Sequence, residues 1–497
     1  MFFAPVLSFF FFFFSFLKLI NTFNINKLVN ASFSFNKGIL QNVRTGEGKI
    51  IFSKNLQRHY NHFSPPPVEY FPCKNEIQND KDGGIFFKKD QTFSKLLVHP
   101  TLVEELNKNN IITPSVIQFD LLQYYNKNSQ NMKNVIIGAE NGIGKTLSYI
   151  ILVLNHILKQ RPKDDKISVL IFQYSGLLRR QCHDVVRRLS RNVKVKINIL
   201  NKEDPIDLNK NKNLILITSP ERFVTHMKEN QEAVATFLQS LNFFIMDEVD
   251  IMFDNPIIKY MKRLYEQMNK LKNTKCVSIL TSSTLCNKGK KSVYQNIKKY
   301  VKDAVFIKTN YLHNIHPFIN YNFINLPVYN IKEKVKAIKN ILSKENHKKV
   351  LIFCNTVSNC NNAFSLLKSH FDDIFSFNSS LKKEDQFIIL DHFKNSEKSI
   401  LVSTDIIHRG VDVKGITHLF HFDAPTNAVI YTHRNGRISR GASTGGNIYL
   451  FNNSENLVTN KIYQLHKNNV KFEDIFSRKR SLRKNYKRDL KKKIEER

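Results

Sequence analysis

From Phe93 to about Phe451 the chain repeats one pattern: a short apolar run, then a longer stretch whose apolar residues recur with helical spacing. Val135–Gly138, Val169–Phe172, Leu214–Thr218, Phe243–Met246 and Val277–Leu280 form a first series of runs. Val350–Cys354, Ile374–Phe377, Ile400–Thr404, His418–Phe422 and Ile448–Phe451 form a second. These runs lack the strict apolar–polar alternation of a strand with one wet face. Such runs suit strands buried on both faces, so each series predicts a parallel sheet with helices packed over it. The predicted fold class is α/β, with tandem domains at residues 91–308 and 320–475 joined by a linker at 309–319. No short tandem repeat is visible, yet the halves read as two versions of one architecture.

The flanks break the pattern. The first 17 residues carry no charged side chain and include an unbroken Phe run from Phe9 to Phe14. That is short for a membrane span of ~20 residues and closer to the apolar region of a signal peptide. Lys18, Lys27, Lys37 and Arg44 then appear among Asn and Ser, and no acidic residue precedes Glu47, as in organelle transit peptides. A signal-like stretch followed by a transit-like one resembles the two-part leader of proteins sent to the apicoplast. A mitochondrial presequence and a plain extension are the alternatives. Residues 1–90 therefore read as targeting leader and linker, with no stable membrane insertion of the mature chain expected.

At the other end, Ser477–Arg497 holds eleven Lys or Arg against three acidic residues, a local net charge of +8. It has too little apolar surface for a core, so residues 476–497 read as a basic tail, for nucleic acid or for solubility. The tail is one part of a general excess, because the whole chain carries a net charge of +34. Such a surplus favours a polyanionic partner, nucleic acid before an anionic membrane, although a Lys- and Asn-rich genome would leave the same trace. The cysteines Cys73, Cys182, Cys276, Cys286, Cys354 and Cys360 form no C-x-x-C pair, which argues against a zinc site or a disulfide framework.

Candidate chemistry sits where apolar runs end. Ala139-Glu140-Asn141-Gly142-Ile143-Gly144-Lys145-Thr146 follows the run Val135–Gly138 and precedes an apolar helix. In that context the glycines let backbone N–H groups surround phosphate oxygens, Lys145 reaches the terminal phosphates, and Thr146 can hold Mg²⁺. Asp247-Glu248-Val249-Asp250 ends the run Phe243–Met246. There Asp247 would position Mg²⁺, usually through water, and Glu248 would orient or deprotonate an attacking water.

With these two motifs in place the chain resembles the DEAD-box branch of superfamily 2 helicases, in order from Phe93 to about Phe451. The resemblance implies two RecA-like domains, ATP and Mg²⁺ as ligands, RNA as partner, an accessory activating protein and a monomer. Pro114-Ser115-Val116-Ile117-Gln118, with Phe93 25 positions before Gln118, resembles the adenine-reading Q motif. The resemblance further assigns nucleotide contacts to Ala139, Asn141, Gly142, Gly144 and Asp412. Ser219-Pro220-Glu221-Arg222 is similar to the RNA-contacting T-P-G-R, giving Pro220 and Arg222 that role, and Thr356 and Thr404 are the matching RNA contacts of the second domain. Ser282-Ser283-Thr284 resembles the S-A-T motif that couples hydrolysis to duplex separation. Asp250, Asp405, His433 and Arg434 join Ser282 and Thr284 as coupling residues. Arg437 and Arg440, in His433-Arg434-Asn435-Gly436-Arg437-Ile438-Ser439-Arg440, match the arginine fingers.

Departures fall mostly on the RNA side. Gly176 and Gln386 stand where the family has arginines, the family's Gly-Gly element is not visible, and Ile438-Ser439-Arg440 replaces T-G-R. Val249 replaces an Ala, Ala139 a Gly, and Asn110-Ile111 a Gly-aromatic pair. The resemblance implies an ATP-dependent RNA helicase. The eroded RNA contacts leave a nucleotide-binding RNA clamp as one alternative; a DNA-directed helicase of the same superfamily is another, against which the Q motif argues.

Overall fold

The computed structural model describes residues 86–160, 166–200, 213–253, 257–271, 276–285, 293–314, 316, 318–407, 413–438, 445–452 and 456–470. The targeting leader and the basic tail lie outside the described residues, as do Asp412, Ser439 and Arg440.

The first domain runs α1 (Pro100–Lys108), α2 (Val116–Asn128), β1 (Asn134–Gly138), α3 (Lys145–Lys159), β2 (Ser168–Phe172), α4 (Gly176–Leu189), β3 (Val195–Ile199) and β4 (Asn213–Thr218). It continues with α5 (Pro220–Glu229), α6 (Gln231–Gln239), β5 (Leu241–Met246), α7 (Val249–Met252), α8 (Ile258–Leu271), β6 (Val277–Ser282), α9 (Val293–Tyr300) and β7 (Ala304–Lys308). Its strands pair in the order β3-β4-β2-β5-β6-β1-β7, every pair parallel. The second domain runs β8 (Ile319–Asn325), α10 (Ile331–Lys344), β9 (Lys349–Cys354), α11 (Val357–Lys368), β10 (Ile374–Phe377), α12 (Lys383–Asn395), β11 (Ser399–Thr404), β12 (Ile416–His421), α13 (Ala428–Asn435), β13 (Gly446–Asn452) and α14 (Leu457–Lys467). Its sheet order is β10-β11-β9-β12-β13-β8, again parallel throughout.

Burial explains the runs. Val135, Ile137, Val169 and Ile171 face a core under α2, α3 and α4, while their neighbours Ile136, Leu170 and Phe172 enter a separate core on the opposite face. The second sheet divides in the same way, with Val350 and Ile352 on one face and Leu351 and Phe353 on the other. Helices on both faces leave no wet side for polar residues.

β3, β7 and β8 are absent from the sequence-predicted runs, and all three lie at sheet edges. An edge strand is half solvated and keeps polar positions, as in Val-Lys-Ile-Asn-Ile of β3 and Ile-Asn-Tyr-Asn-Phe-Ile-Asn of β8. Ile319, placed in the linker by the sequence, opens β8. The fold also reaches back before residue 91. Phe86 is buried and stacks on His316 at 5.2 Å, and Phe87 bridges to Ser115. Among the described residues no helix is long and apolar enough to cross a membrane.

Because every strand of a sheet points the same way, the loops that follow them gather along one edge, where an open α/β sheet binds its ligands. Those after β1, β2, β4, β5 and β6 begin at Ala139, Gln173, Ser219, Asp247 and Ser283.

Candidate functional site

After β1 the backbone turns through Gly142 (φ 82°) and Gly144 (φ 89°) into α3. A Cβ on Gly144 would lie 2.6 Å from Gln118 Nε2, so glycine is needed for the Gln118 amide to rest on the loop. Lys145 is buried, and its ammonium donates to the carbonyls of Ala139 (2.9 Å) and Glu140 (2.8 Å). Burial lowers its pKa, opposed by the carboxylates of Asp247, Glu248, Glu140 and Asp250. Such a cation can exchange loop carbonyls for phosphate oxygens. Glu140, which sequence reasoning passed over, ties the loop to the linker by accepting from Thr309 Oγ1 at 2.6 Å.

Gln118 also closes the capping box of α2, accepting from Ser115 N at 2.9 Å through Oε1. That oxygen keeps a second lone pair for an adenine edge. Phe93 departs from expectation. It is 1 % exposed in the core that also holds Ile117 and Leu121, so it supports the Gln118 helix and offers no ring face to a base. Asn110 adopts φ 57°, the left-handed conformation glycine takes freely, so the turn survives the exchange.

At the end of β5, Asp247 accepts hydrogen bonds from Thr146 Oγ1 (2.8 Å), Tyr149 OH (3.1 Å), Gln173 Nε2 (3.0 Å) and Thr281 Oγ1. Tyr149, Gln173 and Thr281 were not singled out from the sequence. Gln173 had a signal there, as a polar residue directly closing an apolar run. Glu248 sits at φ 57°, ψ 54°, a region that costs a non-glycine residue about 1–3 kcal/mol and here redirects the chain from strand to helix. Its Oε2 is buried without a hydrogen-bond partner. Burial pushes its pKa up, with His433 and Arg437 pulling the other way. A carboxylate so placed can accept a proton from water. Among the described residues no cluster of three or more His, Cys, Asp or Glu forms a complete metal cage. The hydroxyl of Thr146 beside Asp247 still suits Mg²⁺, which takes one or two protein oxygens and completes its shell with water and phosphate.

The second domain brings His433, Arg434 and Arg437 on α13 and just beyond it. His433 Nε2 lies 2.9 Å from Asp250 Oδ2, which also accepts from Thr284 Oγ1. Burial alone would push the Asp250 carboxyl up. The facing His433 charge and hydrogen bond, with the Thr284 hydroxyl, outweigh it and hold the group below the usual carboxylate range. Arg437 is buried near enough to Glu248 to lower that carboxyl's pKa. Arg434, fully buried, points the other way, to Asp405 Oδ1 (2.6 Å), the Asp423 carbonyl (3.0 Å) and Asn355 Oδ1 (2.7 Å). Asn141 Nδ2 donates to the Thr432 carbonyl at 3.4 Å, and a Cβ on Gly436 would fall 2.3 Å from the Asn141 Cβ. Gly436 is thus what lets the phosphate loop meet the end of α13.

Of the expected RNA contacts, Pro220 and half-buried Arg222 open α5, Thr356 is the exposed N-cap of α11, and Thr404 ends β11. Ser282 accepts from the Thr284 amide at 3.2 Å and, through its carbonyl, from Ala139 N at 3.1 Å. Ser282 and Thr284 therefore join the loop to the Asp250–His433 pair.

Two family models match the chain: DEAD/DEAH box helicase over residues 121–292 and helicase conserved C-terminal domain over residues 333–442, together more than half of it. The ATP-dependent RNA helicase DBP6 of Vanderwaltozyma polyspora is 28% identical over 386 residues, covering 70% of this chain and 58% of that protein. The ATP-dependent RNA helicase RhlB of Erwinia tasmaniensis is 24% identical over 371 residues, covering 73% of this chain and 82% of that protein. In fold, the chain superimposes on S. cerevisiae Dbp5 bound to RNA and ADP BeF3 with a TM-score of 0.61 at 20% identity, covering 76% of this chain and 93% of that one.

Asp250→Asn is expected to cost about 3–5 kcal/mol of unfolding free energy at neutral pH, since it breaks a buried pair. The depressed Asp250 pKa adds a pH signature. Its contribution is full above the unfolded value near ~3.9 and is lost as pH falls through the lower folded value. Urea unfolding at a series of pH values measures both effects. A loss below about 1 kcal/mol would show that the pair does not hold the domains together.

Proposed function

The chain belongs to the DEAD/DEAH-box helicase family, and we propose that it is an ATP-dependent RNA helicase of DEAD-box type, coupling ATP binding and hydrolysis to local RNA duplex separation or remodelling of RNA–protein complexes. One observation carries this reading. Lys145, Asp247 and Glu248, buried at one sheet edge, meet His433 and Arg437 of the second domain.

Lys145 releases the loop carbonyls to bind the terminal phosphates, and the Gln118 amide reads the adenine edge. Glu248 accepts the proton of the attacking water, its burial keeping it basic enough to do so. Arg437 places positive charge opposite the phosphoryl group from across the cleft, with Arg440 as its companion. Thr146 and Asp247 would hold Mg²⁺, which would supply charge neutralisation on the phosphates. Closure assembles these groups and aligns Pro220 and Arg222 with Thr356 and Thr404 on one RNA strand. Thr284, Asp250 and His433 carry the state of the phosphate loop to the second domain.

The clamp reading has a specific observation behind it. Gln386, where the family has arginine, donates its amide to the carbonyls of Asn378 (3.3 Å) and Leu381 (3.2 Å), bracing the approach to α12. RNA-stimulated ATP turnover with strand separation supports the helicase, whereas nucleotide-dependent RNA retention without turnover supports the clamp. The leader composition and its resemblance to two-part leaders support an apicoplast location, and an accessory activating protein belongs to the same proposal.

Lys145→Ala should abolish ATP turnover, and near wild-type turnover in that variant would remove the phosphate-loop assignment. Glu248→Gln should keep ATP affinity while slowing hydrolysis about 10²–10⁴-fold and prolonging RNA retention. A base must be deprotonated, so the raised Glu248 pKa places the acid limb of the pH–rate profile above the ordinary glutamate range. A rate flat down to pH ~4.3 would exclude Glu248 as the base.

Gly436→Ala should force Asn141 away and cut RNA-stimulated ATPase by up to about 100-fold with little change in thermal stability, as misplaced catalytic groups do. Steady-state kinetics and a thermal melt on the same sample check it. A fluorescent protein fused to residues 1–67 should enter an organelle, the apicoplast in a host that has one. A diffuse cytosolic signal removes the targeting proposal.

A further inference from the structure

β2 ends in the apolar run Val169–Phe172, and the next residue, Gln173, is an amide only 1 % exposed. A buried amide must find partners for its donors. Both hydrogens of Gln173 Nε2 are used, one on Asp247 Oδ2 and one on Tyr149 OH, each at 3.0 Å. Tyr149 OH gives its own hydrogen to the same Asp247 oxygen at 3.1 Å, and Thr146 Oγ1 joins them at 2.8 Å. Gln173, Tyr149 and Asp247 therefore close a triangle of hydrogen bonds beside Thr146. The remaining amide atom, Gln173 Oε1, is buried without a hydrogen-bond partner. Leaving an acceptor in that state destabilises the fold. An apolar side chain of the same length would fill the space without that penalty, so the amide is present for what its N–H groups hold.

The backbone of Gln173 sits in a second network. Its N–H donates to the Thr218 carbonyl at 2.8 Å, and the Asp247 N–H donates to the Phe172 carbonyl at 3.1 Å. Thr218 closes β4 and directly precedes Ser219, the N-cap of α5. Gln173 itself stands two residues before Ser175, the N-cap of α4. One residue thus ties the segments that open α4 and α5 to the carboxylate beside the phosphate loop. Thr281, which holds the other carboxylate oxygen, comes from β6 and leads to Ser282 and Thr284 instead. Hydrogen bonds weaken steeply with misalignment, so a shift of the α4 and α5 starts by a few tenths of an ångström reaches Asp247 through Gln173.

We infer that Gln173 is a positioning residue that couples RNA docking to the metal site. RNA seated against Pro220 and Arg222 steadies the two segments, and Gln173 thereby holds Asp247 in the orientation in which it and Thr146 receive Mg²⁺. The inference rests on the helicase reading above and deepens it. Linkage makes the coupling reciprocal: RNA raises the affinity for the metal–nucleotide, and the metal–nucleotide raises the affinity for RNA by the same factor. Tyr149 stands outside this relay. It braces the carboxylate from α3, the helix that carries Thr146 itself, and so acts equally with and without RNA.

The probe is Mn²⁺, a paramagnetic stand-in for Mg²⁺ whose free concentration is read by electron paramagnetic resonance. It is titrated into the full chain with a non-hydrolysable ATP analogue held below the protein concentration, with and without a saturating single-stranded oligouridylate. The unaltered chain should bind Mn²⁺ at least about fivefold more tightly with RNA. Gln173→Met, which keeps the length and removes the N–H groups, should bring that ratio towards one. Gln173→His returns an N–H at similar reach and should restore part of it. Tyr149→Phe should weaken Mn²⁺ binding to the same extent with and without RNA, leaving the ratio as it is. RNA anisotropy with and without Mn²⁺ should return the same ratios. A Gln173→Met ratio equal to that of the unaltered chain overturns the inference and leaves the helicase reading intact, as does a ratio of one in the unaltered chain. Should Gln173→Met melt before it can be titrated, Gln173→His decides: a ratio above one supports the inference and a ratio of one overturns it. No RNA binding by the unaltered chain sinks both.

Discussion

Asp247, Glu248 and Asp250 are buried within one tetrapeptide at the end of β5, and a protein interior tolerates such a group of carboxylates only if each is neutralised or hydrogen-bonded. Asp247 is satisfied inside its own domain by Thr146, Tyr149, Gln173 and Thr281. Asp250 is not. Besides Thr284, its partner is His433, 183 residues further along and in the other domain. Glu248 retains an oxygen without a partner, with Arg437 as a nearby cation. Docking of the second domain is thus the answer to an electrostatic demand set in the first. A state of the phosphate loop that shifts these carboxylates changes the free energy of docking directly.

That demand needs a rigid donor. Arg434 supplies the rigidity by joining Asp405, Asp423 and Asn355, which follow β11, β12 and β9. Its guanidinium also lies 5.1 Å from the centre of the Phe353 ring. With Arg434 anchoring one side of α13, His433 faces the first domain and Arg437, four residues on, follows the same side. A second contact joins α4 to the second domain. Leu177 of α4 packs against an apolar cluster of the second domain, and Arg180 stacks 4.4 Å from the centre of the Phe387 ring on α12. Gly176 and Gln386, where the family pattern has arginines, adjoin this contact in the chain.

The central strands, the phosphate loop and the acidic tetrapeptide were legible in the sequence because their physics is local. A strand buried on both faces must be uniformly apolar, and a phosphate loop needs Gly142, Gly144, Lys145 and Thr146 in succession. Edge strands β3 and β8 were not legible as apolar runs, because half-solvated backbone accepts polar residues at intervening positions, whereas β7 holds a buried apolar run from Val305 to Ile307 that was open to the same reading as the central strands. Phe93 shows the limit of spacing. Its distance from Gln118 suits a nucleotide contact, yet only packing revealed that both ring faces are enclosed.

By itself, then, the sequence determined the two parallel α/β units and the residue types at the ends of their strands, since hydrophobic periodicity and loop chemistry act over a few neighbouring positions. Tertiary structure alone decided which distant groups meet. Asp250 with His433, Asn141 against Gly436, Glu140 with Thr309, and Gln173 with Asp247 all depend on side-chain direction or domain docking. The reason is that burial and desolvation are properties of a place in the folded molecule. A carboxylate or guanidinium acquires its need for a partner only once the surrounding chain has excluded water from it.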